Sequence, residues 1–238
     1  MSACGRRWRV HASSLQLCDV QHQSRAQRLI QHAFASNRLP HAYIFHGPDG
    51  VGKEMFAVAV AKLLLCESPQ ASDSSQPASP PGKEALPRKD ACGQCKSCHL
   101  VDVGNHPDLH LVHRQLAAHH PDAAVRARKA LDLGVDVIRH FVIDAVGVRP
   151  LVGPVKVFVI READKITPPA QNALLKTLEE PPETTFLMLL ASSSERLLPT
   201  TRSRCQMVGF TSLPRDFVAK RLSELMDGLS PQRADLLA

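Results

Sequence analysis

The stretch HAYIFHGPDGVGKE, residues 41–54, decides the fold. Its first half is a short apolar run that predicts a buried strand. Its second half matches the pattern G-x-x-x-x-G-K, as Gly47-Pro48-Asp49-Gly50-Val51-Gly52-Lys53-Glu54. The glycines let the backbone curl so that several N–H groups face a bound phosphate, and Lys53 would neutralise the terminal phosphates. The pattern therefore predicts a phosphate-binding loop; a plain glycine turn beside a lysine is the alternative.

Apolar runs of strand length occur on both sides of this loop. Together with the run before Gly47 they predict strands at residues 41–46, 109–112, 156–160, 185–191 and 205–210. Apolar residues at helical spacing lie between and around them and predict helices at residues 24–37, 51–66, 135–146, 168–180 and 214–238. Strands that alternate with helices are typical of an α/β fold with a parallel sheet.

Three segments carry more specific expectations. Thr167 is expected to cap the helix at residues 168–180. Residues 114–130 are polar and rich in histidine, which favours a loop. The helix at residues 135–146 is expected to bury one face, made of Val135, Ile138, Val142 and Ala145.

The metal side of the phosphate loop departs from the usual pattern at two positions. Glu54 follows Lys53, where a Ser or Thr hydroxyl normally ligates Mg²⁺. Arg161 and Glu162 follow the strand at residues 156–160, and Arg161 puts a cation where a metal-holding aspartate is expected. Glu162 keeps a carboxylate that could orient water. We therefore expect ATP to be possible as a ligand, Mg²⁺ to be doubtful, and hydrolysis to be weak or absent.

Four of the seven cysteines form a candidate metal site. Cys92, Cys95 and Cys98 have C-x-x-C-x-x-C spacing, and Cys66 ends the helix before them. Four thiolates suit tetrahedral Zn²⁺, whose role would be structural because no open position remains. His99 is a rival fourth ligand, and free cysteines are the plain alternative. An iron–sulfur cluster is disfavoured because Asp102 stands where a fourth cysteine would be needed.

Composition narrows the class of protein. The chain has 238 residues and 44% hydrophobic content, enough for one core with a small appended piece. A net charge of +6 suits contact with a polyanion but equally a basic solvated surface, and 4% aromatic content disfavours a base-stacking platform.

No apolar run approaches the length of a membrane span, and no apolar segment of a secretory signal follows the arginines near Met1. Clustered cysteines without an export signal favour metal binding over disulfides.

These motifs together resemble one family. A cysteine knuckle inside a phosphate-loop domain is similar to the bacterial DNA polymerase III clamp-loader subunits of the AAA+ class. The run at residues 172–182, NALLKTLEEPP, and the triplet Ser203-Arg204-Cys205 also resemble that family. The resemblance covers roughly residues 27–210. Of its two branches, the ATP-hydrolysing gamma/tau subunits and the delta-prime subunit, Glu54 and Arg161 favour delta-prime.

The resemblance implies roles for several residues. Arg204 would be an arginine finger that reaches the ATP bound by a neighbouring subunit, with Ser203 positioning its loop. A surface arginine is the alternative for Arg204 taken alone. Ser192 and Ser193 lie where the family has a polar sensor residue, although a simple strand-end cap fits them equally.

The composition of the segments and the resemblance together imply a domain plan. We expect a disordered extension at residues 1–23 and an AAA+ (RecA-like) phosphate-loop domain at residues 24–211. This domain would hold a zinc module at residues 66–99 with a disordered insertion at residues 67–90. Residues 212–238 would begin a helical lid, and the family's collar domain would be missing.

The sequence thus predicts a cytoplasmic, non-membrane subunit that helps load the sliding clamp on primed DNA. Its partners would be the gamma/tau and delta subunits, the clamp and, through the complex, DNA. An active gamma/tau-type ATPase is the second hypothesis, with Glu54 and Glu162 rescuing the metal site. A zinc-stabilised nucleotide-binding module unrelated to replication is the third.

Overall fold

The computed structural model describes residues 15–71, 89–127 and 131–225. Within these ranges the strands, numbered in chain order, are β1 (Ala42–His46), β2 (Gln70–Ala71), β3 (Lys89–Asp90), β4 (Leu109–Val112), β5 (Lys156–Ile160), β6 (Thr185–Ala191) and β7 (Gln206–Gly209). Five of them form a wholly parallel sheet in the order β4-β5-β6-β1-β7. β2 and β3 pair antiparallel as a small separate ribbon. The predicted α/β class with a parallel sheet is confirmed.

Helices cover both faces of this sheet. They are α1 (Ser24–Ala35), α2 (Lys53–Leu65), α3 (Lys96–Asp102), α4 (Ala123–Arg126), α5 (Val135–Ile138), α6 (Asp144–Val146), α7 (Pro168–Glu179), α8 (Pro199–Arg202) and α9 (Arg215–Leu225). Short 3₁₀ turns occupy Leu17–Asp19, Arg114–His119, Ala163–Lys165 and Ser194–Arg196. None of the described helices is long and apolar enough to cross a membrane.

Two apolar cores follow from the alternation of side chains along the buried strands. On one face, Tyr43 and Phe45 of β1 and Val157 of β5 pack with α1 and α2. On the other face, Ile44 of β1 and Phe158 of β5 pack with α5 and α7. β5 is buried along its whole length, as a central strand covered on both faces must be. The functional residues therefore come from the ends of the strands, where the chain leaves the core.

The predicted disordered extension at residues 1–23 is wrong for its last part. Leu15, Leu17 and Val20 are buried in the core beside α2. Gln23 is also buried, and its side-chain Nε2 donates hydrogen bonds to the carbonyl oxygens of Val51 and Thr211. The apolar spacing of this segment is short and irregular, so only its tertiary contacts order it. The rest of the predicted extension lies outside the described residues.

The predicted disordered insertion at residues 67–90 has ordered ends. β2 and β3 pair with Gln70 opposite Asp90, and the Asp90 carboxylate accepts hydrogen bonds from the backbone N–H groups of Leu17 and Cys18. Residues 72–88 lie outside the described residues. The ribbon brings Cys66, which precedes β2, close to Cys92, which follows β3.

Three local predictions are also corrected. Residues 114–130, expected to be a loop, contain a 3₁₀ turn and α4. Thr167 occupies the N-cap position of α7, but its side chain makes no capping hydrogen bond. A π-helical turn at Arg139–Ile143 joins α5 to α6. Ile138 and Val142 are buried as expected, Val135 and Ala145 pack against the same core but are only partly buried, and Val137 and Val146 complete the buried face.

Candidate functional site

The phosphate-loop pattern forms a tight turn between β1 and α2. Gly47 and Gly52 have φ values of 147° and 94°, a region that favours glycine. A Cβ at Gly47 would overlap the carbonyl oxygen of Phe210, so the close packing of this loop on the end of β7 excludes any larger residue. The loop ends at the first residue of α2, where free backbone N–H groups and the helix dipole favour an anion.

Lys53, the first residue of α2, is folded back onto the loop. Its Nζ donates to the carbonyl oxygens of Gly47 and Pro48 at 2.6 Å each, and lies 3.4 Å from Asp49 Oδ1. The Lys53 side chain is 9% exposed, whereas that of Asp49 is 90% exposed. The ammonium is thus held at the mouth of the loop.

A cleft of about 420 Å³ opens beside this lysine. Its lining joins the phosphate loop to the carboxyl ends of β5 and β6, which is where open parallel sheets bind ligands. The ionisable residues that line the cleft are Asp49, Lys53, Glu54, Arg161, Glu162, Asp164 and Lys165. The predicted nucleotide-binding residues Glu54 and Glu162 are thereby brought to one cleft.

The carboxylates of Glu54 and Glu162 both form ion pairs with neighbouring cations. Arg161 Nε lies 3.0 Å from Glu54 Oε2, and both side chains are partly exposed. Glu162 takes a left-handed φ of 53° directly after β5. Its carboxylate is bonded by Arg114 at 3.2 Å and by Lys165 at 3.1 Å. The two carboxylates expected to help a metal are instead parts of ion pairs.

Asp164 is a site residue that the sequence analysis missed. Its carboxylate accepts hydrogen bonds from the Ser192 backbone N–H at 3.2 Å and from Ser192 Oγ at 3.0 Å, and Arg196 lies 3.8 Å away. Ser192, at the end of β6, therefore faces the cleft. Ser193 instead accepts a hydrogen bond from the Glu195 backbone N–H and caps the following 3₁₀ turn.

Two histidines near charged residues of the cleft lie in an environment that favours their neutral form. Burial and the nearby Lys53 ammonium lower the pKa of His46, the last residue of β1. Burial and then Arg161 lower the pKa of His113, which follows β4, although Glu162 and Glu54 oppose this. Both histidines are therefore uncharged near neutral pH.

The residues of the cleft do not fit a magnesium ion. Mg²⁺ needs oxygen ligands in a nearly octahedral set, usually one or two carboxylates together with substrate phosphates. All four carboxylates that line the cleft contact a cation, and Asp164 also accepts hydrogen bonds from Ser192. A metal ion would have to compete with these cations for its ligands.

Arg204 lies away from this cleft, in the turn between α8 and β7. Its Nη1 donates to Thr200 O at 2.9 Å, and its Nη2 forms an ion pair with Glu179 Oε1 at 2.6 Å. Ser203 Oγ donates to Thr200 O at 3.0 Å, so both side chains anchor on the same carbonyl. Arg204 is partly exposed and is not part of the cleft lining.

The cysteine prediction is matched by the geometry. The Sγ atoms of Cys66, Cys92, Cys95 and Cys98 all lie within 4.8 Å of one another, and this group could hold a metal ion. The Sγ atoms of Cys92 and Cys98 are 3.9 Å apart. Four sulfurs bound tetrahedrally at about 2.3 Å from a metal would be about 3.8 Å apart. The exposed His99, named as a rival ligand, is not in the group.

Backbone N–H groups support these sulfurs. Cys92 N donates to Cys66 Sγ at 3.3 Å, and the N–H groups of Cys95 and Cys98 donate to the preceding sulfurs at 3.4 Å each. Such bonds, led by one from Gln94, lower the pKa of Cys92 to about 6. Burial raises the pKa of Cys66 and Cys98. A bound cation would offset that burial penalty, which is what a thiolate metal site requires.

Further contributions to the cleft could not be read from the sequence. Arg114 lies 48 positions before Glu162, in a segment expected to be a loop, and nothing in its spacing indicated the contact. Gln23 supports the loop through Val51 from a segment expected to be disordered. Asp164 offered one signal, an acidic residue three positions beyond Arg161 at the end of a buried strand.

Comparison with known proteins places these features in a family. A family model described as "DNA polymerase III, delta subunit" matches residues 22–214. The chain is 32% identical over 216 residues to DNA polymerase III subunit delta' of Bacillus subtilis, covering 91% of this chain and 55% of the relative. It is 31% identical to the Escherichia coli subunit delta', covering 80% and 48%. It is also 31% identical to subunit tau/gamma of Haemophilus influenzae, covering 93% and 27%.

Solved structures show the same fold at lower identity. A DNA polymerase III gamma subunit-related protein of Thermotoga maritima matches with a TM-score of 0.52 and 19% identity, covering 90% of this chain and 55% of that one. The RuvB Holliday junction branch migration motor of Thermotoga maritima matches with a TM-score of 0.51 and 12% identity, covering 94% and 58%. These likenesses establish the AAA+ fold. The chain spans about half the length of the delta' relatives it matches, and it belongs to the DNA polymerase III delta subunit family.

Proposed function

We propose that this chain acts as a delta-prime-type subunit of the DNA polymerase III clamp loader, which helps load the sliding clamp on primed DNA. In this role it lends Arg204 to the ATP site of a neighbouring subunit. The observation that carries the proposal is the separation of Arg204 from the chain's own phosphate cleft. An arginine that serves its own nucleotide would line that cleft.

The chemistry of Arg204 suits this task. A guanidinium stays charged and donates in a planar fork that matches phosphate oxygens. Its ion pair with Glu179 is partly exposed, so the pair contributes little to stability and can be exchanged for a phosphate at little cost. Ser203, bonded to Thr200 as Arg204 is, would keep the turn in shape. The rest of the site would come from the neighbour.

The chain's own cleft supports a nucleotide-binding role without efficient hydrolysis. The loop and Lys53 keep a cradle for phosphates, whereas the carboxylates that could hold Mg²⁺ are engaged in ion pairs. Without a metal, the charge that develops on transfer of a phosphoryl group loses its main source of stabilisation. We therefore expect the isolated chain to be a poor ATPase or an inactive one.

The cysteine cluster would hold a structural zinc ion. Cys66, Cys92, Cys95 and Cys98 supply four ligands, which leaves no open position for catalysis. Bound zinc would supply a cross-link between α2, which Cys66 caps, and the knuckle that leads into α3. The proposed zinc module at residues 66–99 thus stiffens one side of the phosphate-loop domain.

The remaining parts of the proposal follow from the family. The phosphate-loop domain would comprise residues 24–211, and α9 would open a helical lid domain after β7. The partners would be gamma/tau and delta subunits and the sliding clamp, in the bacterial cytoplasm.

The proposal is tested by Arg204→Ala in a clamp loader reconstituted with gamma/tau-type and delta-type subunits. An arginine finger contributes about a thousandfold or more to turnover at the site it serves, so loader ATPase and clamp loading on primed DNA should fall sharply. Arg38→Ala removes an equally charged, exposed side chain and should change neither. Unchanged clamp loading by Arg204→Ala would refute the assignment.

A second candidate is an active gamma/tau-type ATPase. The complete G-x-x-x-x-G-K pattern and the similarity to tau/gamma subunits favour it. Steady-state ATP turnover by the purified, magnesium-supplied chain decides between the two. Turnover of about one per second or faster would favour the second candidate.

A further inference from the structure

Arg161 and Glu54 form a charged pair at the point of the cleft where a metal ion would be expected. Arg161 follows the last residue of β5, and its backbone N–H is bonded to Val112 O at 2.8 Å, so its Cα is fixed by the sheet. Glu54 is the second residue of α2 and is fixed by that helix. The pair therefore connects two rigid elements across the cleft.

The geometry of the pair leaves Arg161 able to act on a ligand. Its Nε atom makes the contact with Glu54, and its side chain is 41% exposed, so part of the Arg161 side chain is open to a ligand. Lys53 lines the same cleft from the loop side. A phosphate in the loop would thus meet an ammonium from α2 and a guanidinium from the end of β5. Charge-assisted bonds of a guanidinium to phosphate are among the stronger hydrogen bonds in proteins.

We propose that the cleft binds the phosphates of an adenine nucleotide without a divalent cation, and that Arg161 supplies the positive charge in place of the metal. Glu54 acts as a positioning residue that holds Arg161 toward the loop. This inference rests on the nucleotide-binding part of the proposed function. It goes beyond that function by naming the metal-free form of the nucleotide as the ligand and Arg161 as its binding residue.

The charges around the cleft agree with this ligand. The carboxylates of Asp49, Glu54, Glu162 and Asp164 line it, and the cations that face them are Lys53, Arg114, Arg161, Lys165 and Arg196. Lys53, Arg161 and Lys165 line the cleft, and Arg114 and Arg196 contact Glu162 and Asp164 from outside the lining, so every carboxylate of the cleft is offset by a neighbouring cation. A divalent cation brought in with the nucleotide would instead meet Arg161 at close range and be repelled.

The test is a calorimetric titration of the full chain with ADP, once in magnesium-free buffer and once in MgCl₂; no chelator is added, because it would remove zinc from the cysteine cluster. We expect the two dissociation constants to agree within about twofold, which corresponds to only a few tenths of a kcal/mol. In the magnesium-free buffer, Arg161→Ala should weaken ADP binding by about tenfold or more. Arg149→Ala, which removes an exposed arginine outside the cleft, should leave the affinity unchanged. Thermal unfolding of each variant verifies that it is folded.

A double variant makes the test sharper. Glu54→Thr combined with Arg161→Asp supplies a hydroxyl and a carboxylate of the kind that hold Mg²⁺, and it should bind ADP more tightly in MgCl₂ than in magnesium-free buffer. The inference is wrong if the unaltered chain binds ADP at least tenfold more tightly with Mg²⁺, if Arg161→Ala is without effect, or if no ADP binds in either buffer.

The same preparations separate this inference from the proposed function. Each is mixed with a gamma/tau-type subunit and examined for complex formation by size-exclusion chromatography. A chain that joins the complex but needs Mg²⁺ for ADP contradicts only the role of Arg161. A chain that binds ADP equally in both buffers but joins no complex contradicts only the proposed place in the clamp loader.

Discussion

The cysteine cluster and the phosphate cleft both gather groups that could bind a metal ion, but they treat those groups in opposite ways. In the cluster, four sulfur atoms face one another and are contacted by backbone N–H groups. In the cleft, all four lining carboxylates contact a cation, and Asp164 is also bonded by Ser192. The sulfurs of the cluster thus converge on one point, whereas the carboxylates of the cleft are distributed among side-chain cations.

The largest expected effect comes from breaking the cluster. Cys98→Ser removes a buried ligand, so the metal content should fall from about one zinc per chain to well below that, with a loss of several kcal/mol in stability. Zinc analysis by mass spectrometry and thermal unfolding measure the two quantities. Cys18→Ser alters an exposed cysteine outside the cluster and is the matched control. Full zinc content in Cys98→Ser would show that this thiolate is not a ligand.

An intermediate effect on stability is expected at His46, near the cleft, when the pH is lowered. Because the pKa of His46 is lowered in the folded chain, the unfolded chain binds more protons once the pH falls below about 6.5. The stabilising contribution of His46 to the free energy of unfolding is therefore present above pH 6.5. It is lost as the pH falls through the lower pKa that His46 has in the folded chain. His46→Gln should make the free energy of unfolding less dependent on pH between 7.5 and 5.5.

Comparing the two proteins in urea at each pH isolates His46, since the cysteine cluster is common to both. His119→Gln changes an exposed histidine and is the matched control for the loss of an imidazole. An identical pH slope in His46→Gln and the unaltered chain would mean that His46 is as easily protonated when folded as when unfolded.

The smallest effect is expected at the rim of the cleft. Arg196 lies 3.8 Å from Asp164 and is 67% exposed, whereas the short bonds of Asp164 come from Ser192. Exposed pairs of this kind contribute about 0–1 kcal/mol, so Arg196→Ala should change the unfolding free energy by less than about 0.5 kcal/mol. Ser192→Ala, which removes a hydrogen bond to a buried carboxylate, should cost about 1 kcal/mol. Equal losses in urea unfolding would contradict this ranking.

The two regions also differ in how well the sequence predicted them. The cysteine cluster follows from residue type and short spacing, and even Cys66, 26 positions before Cys92, was included because a tetrahedral zinc site needs a fourth ligand. The strands of the sheet follow equally well, since a buried parallel strand is apolar at consecutive positions. Such features depend on local chemistry, which a single sequence displays directly.

The pairings of the cleft depend on tertiary structure and were largely missed. The order β4-β5-β6-β1-β7 brings β5 and β6 beside the loop, and nothing in the lengths of the strands encodes that order. The sequence identified Arg161 and Glu54 as departures from a metal site but did not show that they contact each other. Arg114 and Gln23 reach the site from segments expected to be irregular or disordered.

Helix α2 links the two regions, with Lys53 as its first residue and Cys66 immediately after its last. Each residue of an α-helix turns the chain by about 100° and advances it by about 1.5 Å. Deleting or inserting a single residue between these ends would therefore swing the thiol a quarter-turn or more away from Cys92 and Cys98 whenever the lysine kept its place. The two binding tasks proposed for its ends would thus fix the length of α2, in addition to the packing of its buried residues.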